Sequence, residues 1–169
     1  GGWLVELESG RRRRYGRLVI ANGHNWDPSF PAWSGRAGGP TPFTGVELHS
    51  GEYKTPDAVA GKRVLVVGGG NSGCDIAAEC SQHAALTRLS LRRGYHFLPK
   101  FYRGQPIDAV GEKLLRWRLP IGLRRLLARA MIYLVQGPRT GTGLPRPNHR
   151  LFETHPTINS QLVYHLRHG

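Results

Sequence analysis

The pattern of apolar and polar residues divides the chain into segments with different predicted structures. Alternation at residues 3–8, a turn-forming Ser9-Gly10 pair and an apolar run at 15–21 predict a β-hairpin. Residues 24–60 are dense in proline, glycine, serine and threonine, which predicts an irregular connector outside the core. After residue 61 the apolar positions form short runs and helical repeats, so the packed elements are expected there.

Residues 61–91 have the pattern of a β-α-β unit. The apolar, mostly β-branched run at 64–67 predicts a buried parallel strand, and the spacing at 71–81 predicts a helix. A second strand is predicted at 87–91, which gives the unit about the usual 30 residues. We therefore expect an α/β fold containing a Rossmann-type domain, flanked by the hairpin.

A second periodic stretch, at 112–136, predicts helical structure in which Pro120 starts a new helix. Its arginines lie mostly off the apolar face, which consists of Leu119, Leu123, Leu126, Leu127, Ala130, Met131 and Leu134. This face is expected to pack on the rest of the domain. Peripheral contact of a basic amphipathic helix with an anionic membrane is an alternative.

Charge and composition narrow the functional classes. The chain has 24 Lys and Arg against 11 Asp and Glu, a net charge of +13, with 10 basic and 2 acidic residues at 110–169. Twenty of the basic residues are arginines, which suit bidentate contact with phosphate, although a GC-rich genome gives the same composition. Because arginines 11–14 are interpreted as a solvated turn and the remaining excess follows the helical stretch, no nucleic-acid partner is expected.

The ends and the cysteines of the chain also bear on its class. The 169 residues, 39% hydrophobic, suit one globular domain, and apolar runs of about six residues are too short to span a membrane. Cys74 and Cys80 lie six apart on one predicted helix, so neither a disulfide nor a zinc site is expected. The sequence starts without a methionine or a targeting peptide, which predicts a cytoplasmic location and a start inside a longer protein.

Three glycines occupy the junction between the predicted strand and helix. Gly68, Gly70 and Gly73 form a G-x-G-x-x-G pattern that includes Asn71 and Ser72. The first glycine permits the tight turn, the second lets a pyrophosphate approach the backbone, and the third allows close packing of helix on strand. The helix N-terminus adds N–H groups and partial positive charge. In this strand-turn-helix context the pattern predicts a dinucleotide-binding site.

Two arginines decide which dinucleotide is expected. At the end of the second strand, where an enzyme specific for NAD places a carboxylate for the ribose hydroxyl, this chain has Arg92 and Arg93. A guanidinium bonds a 2′-phosphate bidentately, whereas a carboxylate repels it. The sequence therefore predicts binding of NADP(H) rather than NAD(H).

Several segments resemble the flavin-containing monooxygenase family. Phe43, Gly45, His49 and Tyr53 match its F-x-G-x-x-x-H-x-x-x-(Y/F/W) signature, just upstream of the glycine pattern. The stretch from 68 to 77 is similar to the family's NADPH-binding segment, including the Asn-Ser pair. The resemblance thus carries two linked signatures in the family's order.

Further segments extend the resemblance over nearly the whole chain. Asn22-Gly23 lies in a stretch that resembles the hinge leaving the flavin domain, with asparagine where threonine is usual. Residues 144–149 and 155–159 resemble the return from the nucleotide domain. The resemblance implies three parts. Residues 1–39 end the first part of a split FAD domain, 40–148 form the NADP(H) domain with a helical segment at 110–136, and 149–169 return to the FAD domain.

The resemblance also implies a reaction. NADPH reduces FAD, and a flavin hydroperoxide formed with dioxygen oxygenates a small molecule at a soft nitrogen or sulfur, as in an N,N-dimethylaniline monooxygenase. Tyr53-Lys54 resembles this branch, while a Baeyer–Villiger ketone monooxygenase and a non-catalytic NADP-binding module stay open as alternatives. Because the cofactors supply the chemistry, no catalytic side chain is predicted. His49 could act as a base, but the resemblance implies that it organises the linker.

The sequence contains one glycine fingerprint, which resembles the second of the family's two. The fingerprint for FAD is not in this chain. We therefore expect an internal fragment of a longer enzyme that is colourless, does not turn over alone and retains weak NADPH binding.

Overall fold

The computed structural model describes residues 1–21, 23, 27–38, 43–138 and 140–168. They divide after His49 into a first unit, Gly1–His49, and a second unit, Ser50–Gly169. The proposed boundary between residues 39 and 40 falls outside the described residues.

The first unit begins with the predicted hairpin, but its second strand lies elsewhere. Strand β1, Trp3–Glu6, pairs antiparallel with β2, Arg12–Tyr15, and Glu6 lies opposite Arg12. The turn closes immediately after β1, where the Gly10 N–H donates to the Leu7 carbonyl at 2.8 Å and Gly10 has a φ of +75°. The predicted strand at 15–21 is therefore wrong, because this early turn brings the arginines themselves into β2. An exposed Arg12–Glu6 ion pair of 2.8 Å spans the two strands.

The connector is irregular, as predicted, over most of its described length. It contains two short 3-10 helices, Gly35–Ala37 in the first unit and Pro56–Ala58 in the second. Ser34, just before the first of them, is almost completely buried.

The second unit contains the predicted β-α-β arrangement. Strand β3, Arg63–Val67, leads into α1, Asn71–His83, and then into β4, Leu86–Ser90, which is parallel to β3. Val66 and Leu89 pack with α1 in the core. Leu65 points away from α1 and is 63% exposed. The prediction of a fully buried strand is thus wrong for one face, because nothing in the described part of the chain covers that face.

The remaining elements of the second unit follow β4 along the chain. They are β5 Phe97–Leu98, β6 Phe101–Tyr102, β7 Gln105–Pro106, α2 Ile107–Arg116, α3 Ile121–Gln136, β8 Thr157–Ile158 and α4 Gln161–His168. Strand β5 pairs parallel with β8, and β6 and β7 form a small antiparallel hairpin. One core cluster joins α1 to β5 and α4, and a second joins α2 to α3.

Helix α3 has the predicted start but the opposite orientation. Pro120 is its N-cap residue and the helix begins at Ile121. Ala128 is buried, whereas Leu126 and Leu134 are 63% and 75% exposed. The expectation that the apolar face packs on the domain is wrong for its leucines at 123, 126, 127 and 134, which are exposed, and holds for Met131, which packs against the second core cluster. Ala128, on the opposite side, is buried because its small side chain permits close approach.

The inward side of α3 also accommodates two arginines. Arg125 donates its Nε–H to the Leu151 carbonyl at 2.8 Å. The guanidinium of Arg124 lies 5.6 Å from the centre of the Phe152 ring. These contacts let cationic residues occupy positions that apolar periodicity assigns to the surface.

Cys74 and Cys80 lie on one helix, α1, as predicted, and both are buried free cysteines. Burial and the adjacent Asp75 carboxylate raise the pKa of Cys74 to about 12. Within the described residues, no group of His, Cys, Asp and Glu side chains could hold a metal ion. None of the helices described is long and apolar enough to cross a bilayer.

Candidate functional site

The glycine turn between β3 and α1 has a separate steric reason for each glycine of the pattern. Gly68 has a φ of +112°, which L side chains rarely adopt. A Cβ on Gly73 would lie 2.6 Å from the Gly68 carbonyl oxygen, so only glycine lets the helix close on the strand. A Cβ on Gly70 would meet nothing within 4 Å. The turn is therefore tight on its inner side and open at Gly70.

Helix α1 starts directly at this opening. Gly70 is its N-cap residue, and the Cys74 N–H donates to the Gly70 carbonyl at 3.0 Å. The first N–H groups of a helix have no intrahelical acceptor and carry partial positive charge. Asn71 and Ser72 are exposed here. An anionic group such as a pyrophosphate can thus approach the backbone at Gly70.

Two further glycines of the site were not predicted. A Cβ on the buried Gly69 would lie 2.6 Å from Tyr95 Cε2 and 2.7 Å from Leu91 Cδ2. A Cβ on Gly94 would lie 2.4 Å from the backbone of Arg146. Gly69 occupies a variable position of the pattern, and the only sequence signal for its role is the run of three glycines.

Both residues of strand β8 are hydrogen-bonded to the glycine turn. The Thr157 hydroxyl donates to the Gly69 carbonyl at 2.8 Å in a buried bond. The Ile158 N–H donates to the side-chain oxygen of Asn71 at 2.8 Å. The side-chain oxygen of Asn71, a predicted cofactor-binding residue, thus bonds to the protein's own backbone. Sequence reasoning missed this contact because the partners lie 87 and 88 positions apart.

A buried asparagine next to β8 extends these hydrogen bonds to α1. Asn159, fully buried, donates to Asp75 Oδ1 at 2.7 Å and accepts from the Leu162 N–H at 2.7 Å. Lys100 Nζ lies 2.9 Å from the same Asp75 oxygen. Gln136 Nε2 donates to the Asn159 carbonyl at 3.0 Å. The network ties α1, α3 and α4 together beside the turn, and such buried polar groups are costly to leave unpaired.

The two predicted arginines lie at the same sheet edge as the turn. The Gly68 N–H donates to the Ser90 carbonyl at 2.9 Å, so the start of the turn contacts the last residue of β4. Arg92 and Arg93 follow two and three residues later and are exposed. The Arg93 guanidinium lies 5.6 Å from the centre of the Tyr95 ring. Two cations thus follow directly where the parallel strands present their carboxyl ends.

Part of the predicted signature lies in the first unit. The Phe43 N–H donates to the Trp33 carbonyl at 3.0 Å. A Cβ on Gly45 would lie 2.4 Å from Phe43 Cζ, so a larger residue there would require the exposed phenylalanine ring to move. The His49 ring meets the Phe30 ring edge-on, with centroids 6.1 Å apart. Three signature residues therefore contact other residues of the first unit: Phe43, Gly45 and His49.

Glu47, inside the signature, was not predicted as a site residue. Its carboxylate accepts a hydrogen bond from the Ser34 hydroxyl and another from the Gly35 N–H at 2.8 Å. These two bonds lower the pKa of Glu47 below its ordinary value. The residue holds the 3-10 turn that begins after Ser34.

The last signature residue, Tyr53, belongs to the second unit. Burial and the nearby Glu79 carboxylate raise the pKa of the Tyr53 hydroxyl well above its ordinary value. Glu79 and Cys80 belong to α1, so the tyrosine lies beside the helix that starts at the glycine turn. Of the two predicted hinge residues, Gly23 has a φ of +68° and Asn22 lies outside the described residues.

Comparison with known proteins identifies the family. The model for flavin-binding monooxygenase-like proteins matches residues 5–163. The chain belongs to this flavin monooxygenase family. The predicted resemblance is therefore confirmed. Members of this family are oxidoreductases, namely flavoprotein monooxygenases that depend on FAD and NADPH.

Individual flavin monooxygenases match along most of the chain. Indole-3-pyruvate monooxygenase YUCCA1 of Oryza sativa subsp. japonica is 35% identical over 147 residues, which cover 87% of this chain and 35% of that protein. Flavin-containing monooxygenase 5 of Rattus norvegicus is 35% identical over 173 residues, covering 96% of this chain and 31% of that protein. The chain spans about a third of the length of these relatives.

A solved flavin monooxygenase supports the fold. A double mutant of the enzyme from Stenotrophomonas maltophilia superimposes with a TM-score of 0.53 at 30% identity, covering 67% of this chain and 32% of that structure. The predicted α/β class is confirmed.

Proposed function

We propose that this chain contributes the NADP(H)-binding unit of a flavin-dependent monooxygenase. The observation that carries the proposal is the common sheet edge at which the glycine turn, the start of α1 and two exposed arginines meet. The residues fit the cofactor, because the space beside Gly70 is open where a pyrophosphate would approach.

Each group at this edge has a role towards the nucleotide. The backbone at Gly68, Gly70 and Gly73, with the first N–H groups of α1, would hold the pyrophosphate. Arg92 and Arg93 would hold the 2′-phosphate. Thr157 and Asn71 would keep the turn in its binding shape through their bonds to the backbone.

The complete reaction needs a second cofactor, for which we assign no residue of this chain. FAD, when bound, would accept the hydride of NADPH and activate dioxygen for transfer to a small-molecule substrate. We propose a soft nitrogen or sulfur nucleophile as the acceptor, since the signature around Tyr53 resembles that branch of the family. His49 organises its own unit through Phe30 in this proposal rather than moving a proton.

Nucleotide titration of the purified chain tests the proposed cofactor. Replacing Arg92 and Arg93 with Ala is expected to weaken NADPH binding about tenfold or more, since each charge-assisted hydrogen bond contributes roughly 1.5–3 kcal/mol. Affinity for NADH, which lacks the 2′-phosphate, should stay the same. Isothermal titration calorimetry measures both dissociation constants.

Arg63 provides the matched control, because it is exposed at the amino end of β3, away from the glycine turn. Arg63→Ala should leave both affinities unchanged. Equal losses for NADPH and NADH in the Arg92 and Arg93 variant would refute the 2′-phosphate assignment. The purified chain should also be colourless and should not oxidise NADPH. A yellow preparation that oxidises NADPH would contradict the proposal that the chain contributes the NADP(H)-binding unit and not the flavin site.

A carbonyl substrate is the second candidate. The names of the plant relatives specify indole-3-pyruvate, which is a 2-oxo acid, and this is the observation that supports oxygenation at a carbonyl carbon as the alternative. The flavin-loaded enzyme containing this chain would distinguish the two when given a thioether, a tertiary amine and a 2-oxo acid. Mass spectrometry of the products shows which substrate gains oxygen.

A further inference from the structure

Tyr95 contacts both parts of the proposed nucleotide site. It lies two residues after Arg93, and its side chain is partly buried. Its ring borders the glycine turn so closely that a Cβ on Gly69 would lie 2.6 Å from Tyr95 Cε2 and 2.8 Å from Cδ2. The Arg93 guanidinium lies 5.6 Å from the centre of the same ring. One side chain therefore connects the turn that would face the pyrophosphate with an arginine that would face the 2′-phosphate.

The tyrosine ring is held in place by the core of the second unit. It packs against the first core cluster, and its centre lies 6.5 Å from that of the buried Phe97 ring. The next residue along the chain is fixed as well, since His96 Nε2 donates to the His149 carbonyl at 2.9 Å. Rotation of the Tyr95 ring away from Arg93 would break its packing in the core. Tyr95 is thus a fixed support beside a flexible side chain.

Arg93 is the flexible partner of this pair. Its side chain is exposed, and ordering a long exposed side chain when a ligand binds costs affinity. A contact that orders the side chain beforehand lowers that cost. The face of a tyrosine ring attracts a cation, but the ring carries no charge of its own. The positive charge of the guanidinium therefore stays available to a phosphate, which an ion pair with a carboxylate would not allow.

We propose that Tyr95 is a positioning residue that sets the preference for NADP(H) over NAD(H). Its ring holds the Arg93 guanidinium at the sheet edge, beside the glycine turn. The 2′-phosphate then meets an arginine that is already ordered, whereas NAD(H), which lacks this phosphate, gains nothing from the contact. The inference rests on the proposed function, because it requires a nucleotide bound at the turn.

Isothermal titration calorimetry of the chain with NADPH and with NADH tests the proposal. Tyr95→Leu keeps an apolar side chain in the core but removes the ring, and it should raise the dissociation constant for NADPH about threefold to fivefold. The dissociation constant for NADH should not change. Tyr95→Phe, which keeps the ring, should bind both nucleotides like the unmodified chain. A purely structural role for Tyr95 would lower both affinities together and leave their ratio the same.

A double-mutant cycle links the effect to Arg93. Tyr95→Leu in an Arg93→Ala background should cause no further loss of NADPH affinity, because the guanidinium that the ring holds is already absent. In an Arg92→Ala background it should still cause its full loss. NMR spectra of the nucleotide-free chain provide a second readout. The side-chain protons of Arg93 should show a ring-current shift that Tyr95→Leu removes and Tyr95→Phe keeps.

Tyr102 and Arg103 provide a matched control within the same unit. The Arg103 guanidinium lies 5.9 Å from the centre of the Tyr102 ring, and Tyr102 is partly buried against the second core cluster. Tyr102→Leu therefore removes the same kind of contact between an arginine and a tyrosine. Both nucleotide affinities should stay unchanged in this variant. Circular dichroism shows whether each variant is folded.

Two results would overturn the inference and leave the proposed function intact. One is an unchanged ratio of NADPH to NADH affinity in Tyr95→Leu, while Arg93→Ala lowers NADPH affinity alone. The other is an equal loss in Tyr95→Phe and Tyr95→Leu, which would assign the effect to the hydroxyl group. Failure of the proposed function looks different, since the unmodified chain would then bind NADPH no more tightly than NADH, or not at all. The inference would be wrong in that case too.

Discussion

The glycine turn and helix α3 belong to the same unit but are enclosed very differently. At the turn, Gly73 faces the Gly68 carbonyl and Gly69 faces Tyr95 and Leu91, so backbone and side chains fill the space on both sides. In the part of the chain that the structure describes, one side of α3 is packed and the leucines on its other side are exposed. The comparison shows that an enclosed turn restricts residue type at almost every position, whereas a half-covered helix restricts it on one side only.

The largest expected effect is at Gly73. Gly73→Ala places a Cβ 2.6 Å from a backbone oxygen that no side-chain rotation can move away. We expect a loss of about 3 kcal/mol in the free energy of unfolding, at the upper end of overpacking effects. Urea denaturation followed by circular dichroism measures it.

Gly70→Ala is the matched variant within the same turn. A Cβ there meets nothing within 4 Å and its φ of −74° suits alanine, so the free energy of unfolding should change little. The same methyl group would occupy the proposed pyrophosphate space, so NADPH affinity should fall. If both variants unfold equally easily, the steric distinction between the two glycines is wrong.

The two sides of α3 should differ in the same way. Ala128→Leu inserts three carbon atoms into the second core cluster and should cost about 2 kcal/mol of stability. Leu126→Gln, on the exposed side of α3, should change stability by less than about 0.5 kcal/mol. Thermal melts of the two variants compare these effects. A more destabilising change at Leu126 would show that the leucine side is covered.

These two regions also show what the sequence could predict. The steric roles of Gly68 and Gly73 could be predicted because a tight turn imposes its requirement locally, through backbone conformation and a contact only five residues away, whereas cofactor binding at Gly68, Gly70 and Gly73 stays a prediction. The bounds of α1, β3 and β4 were predicted within two residues for the same reason. The sequence could predict these features because the residues that constrain them lie close together along the chain.

Long-range contacts set what the sequence could not predict. The leucine spacing of α3 indicated a helix but not which side faces the core, which depends on Leu151 and Phe152 beyond the helix. Thr157 and Asn159 lie in the segment that resembles the return from the nucleotide domain, but nothing in the sequence indicated their hydrogen bonds, since their partners on Gly69 and Asp75 lie more than 80 positions away. In the first hairpin, the turn at Gly10 places Arg12–Tyr15 in the second strand, although the more apolar run at 15–21 was predicted to form it.

A smaller effect is expected where a single side chain supports the turn. Asn159→Ala removes the donor to Asp75 and the acceptor for the Leu162 N–H. We expect a loss of about 1.5 kcal/mol, because the buried Leu162 N–H loses its acceptor and the partly exposed Asp75 carboxylate loses a donor. Asn148, which is exposed, provides the control, since Asn148→Ala should melt like the unmodified chain. An unchanged melting temperature for Asn159→Ala would show that the network contributes nothing to the enclosure of the turn.

The smallest effect is expected in the first unit, where the partly buried Glu47 carboxylate, rather than packed backbone, holds a turn. The bonds from Ser34 and Gly35 lower the pKa of Glu47, so its stabilising contribution is present above the pKa of the unfolded chain. That contribution is lost as the pH falls through the lowered pKa of the folded state. The Gly35 amide proton should therefore shift in NMR spectra on acidification, and Glu47→Gln should abolish the titration. Glu8→Gln should preserve it, whereas a Gly35 shift that survives in Glu47→Gln would show that another group holds the turn.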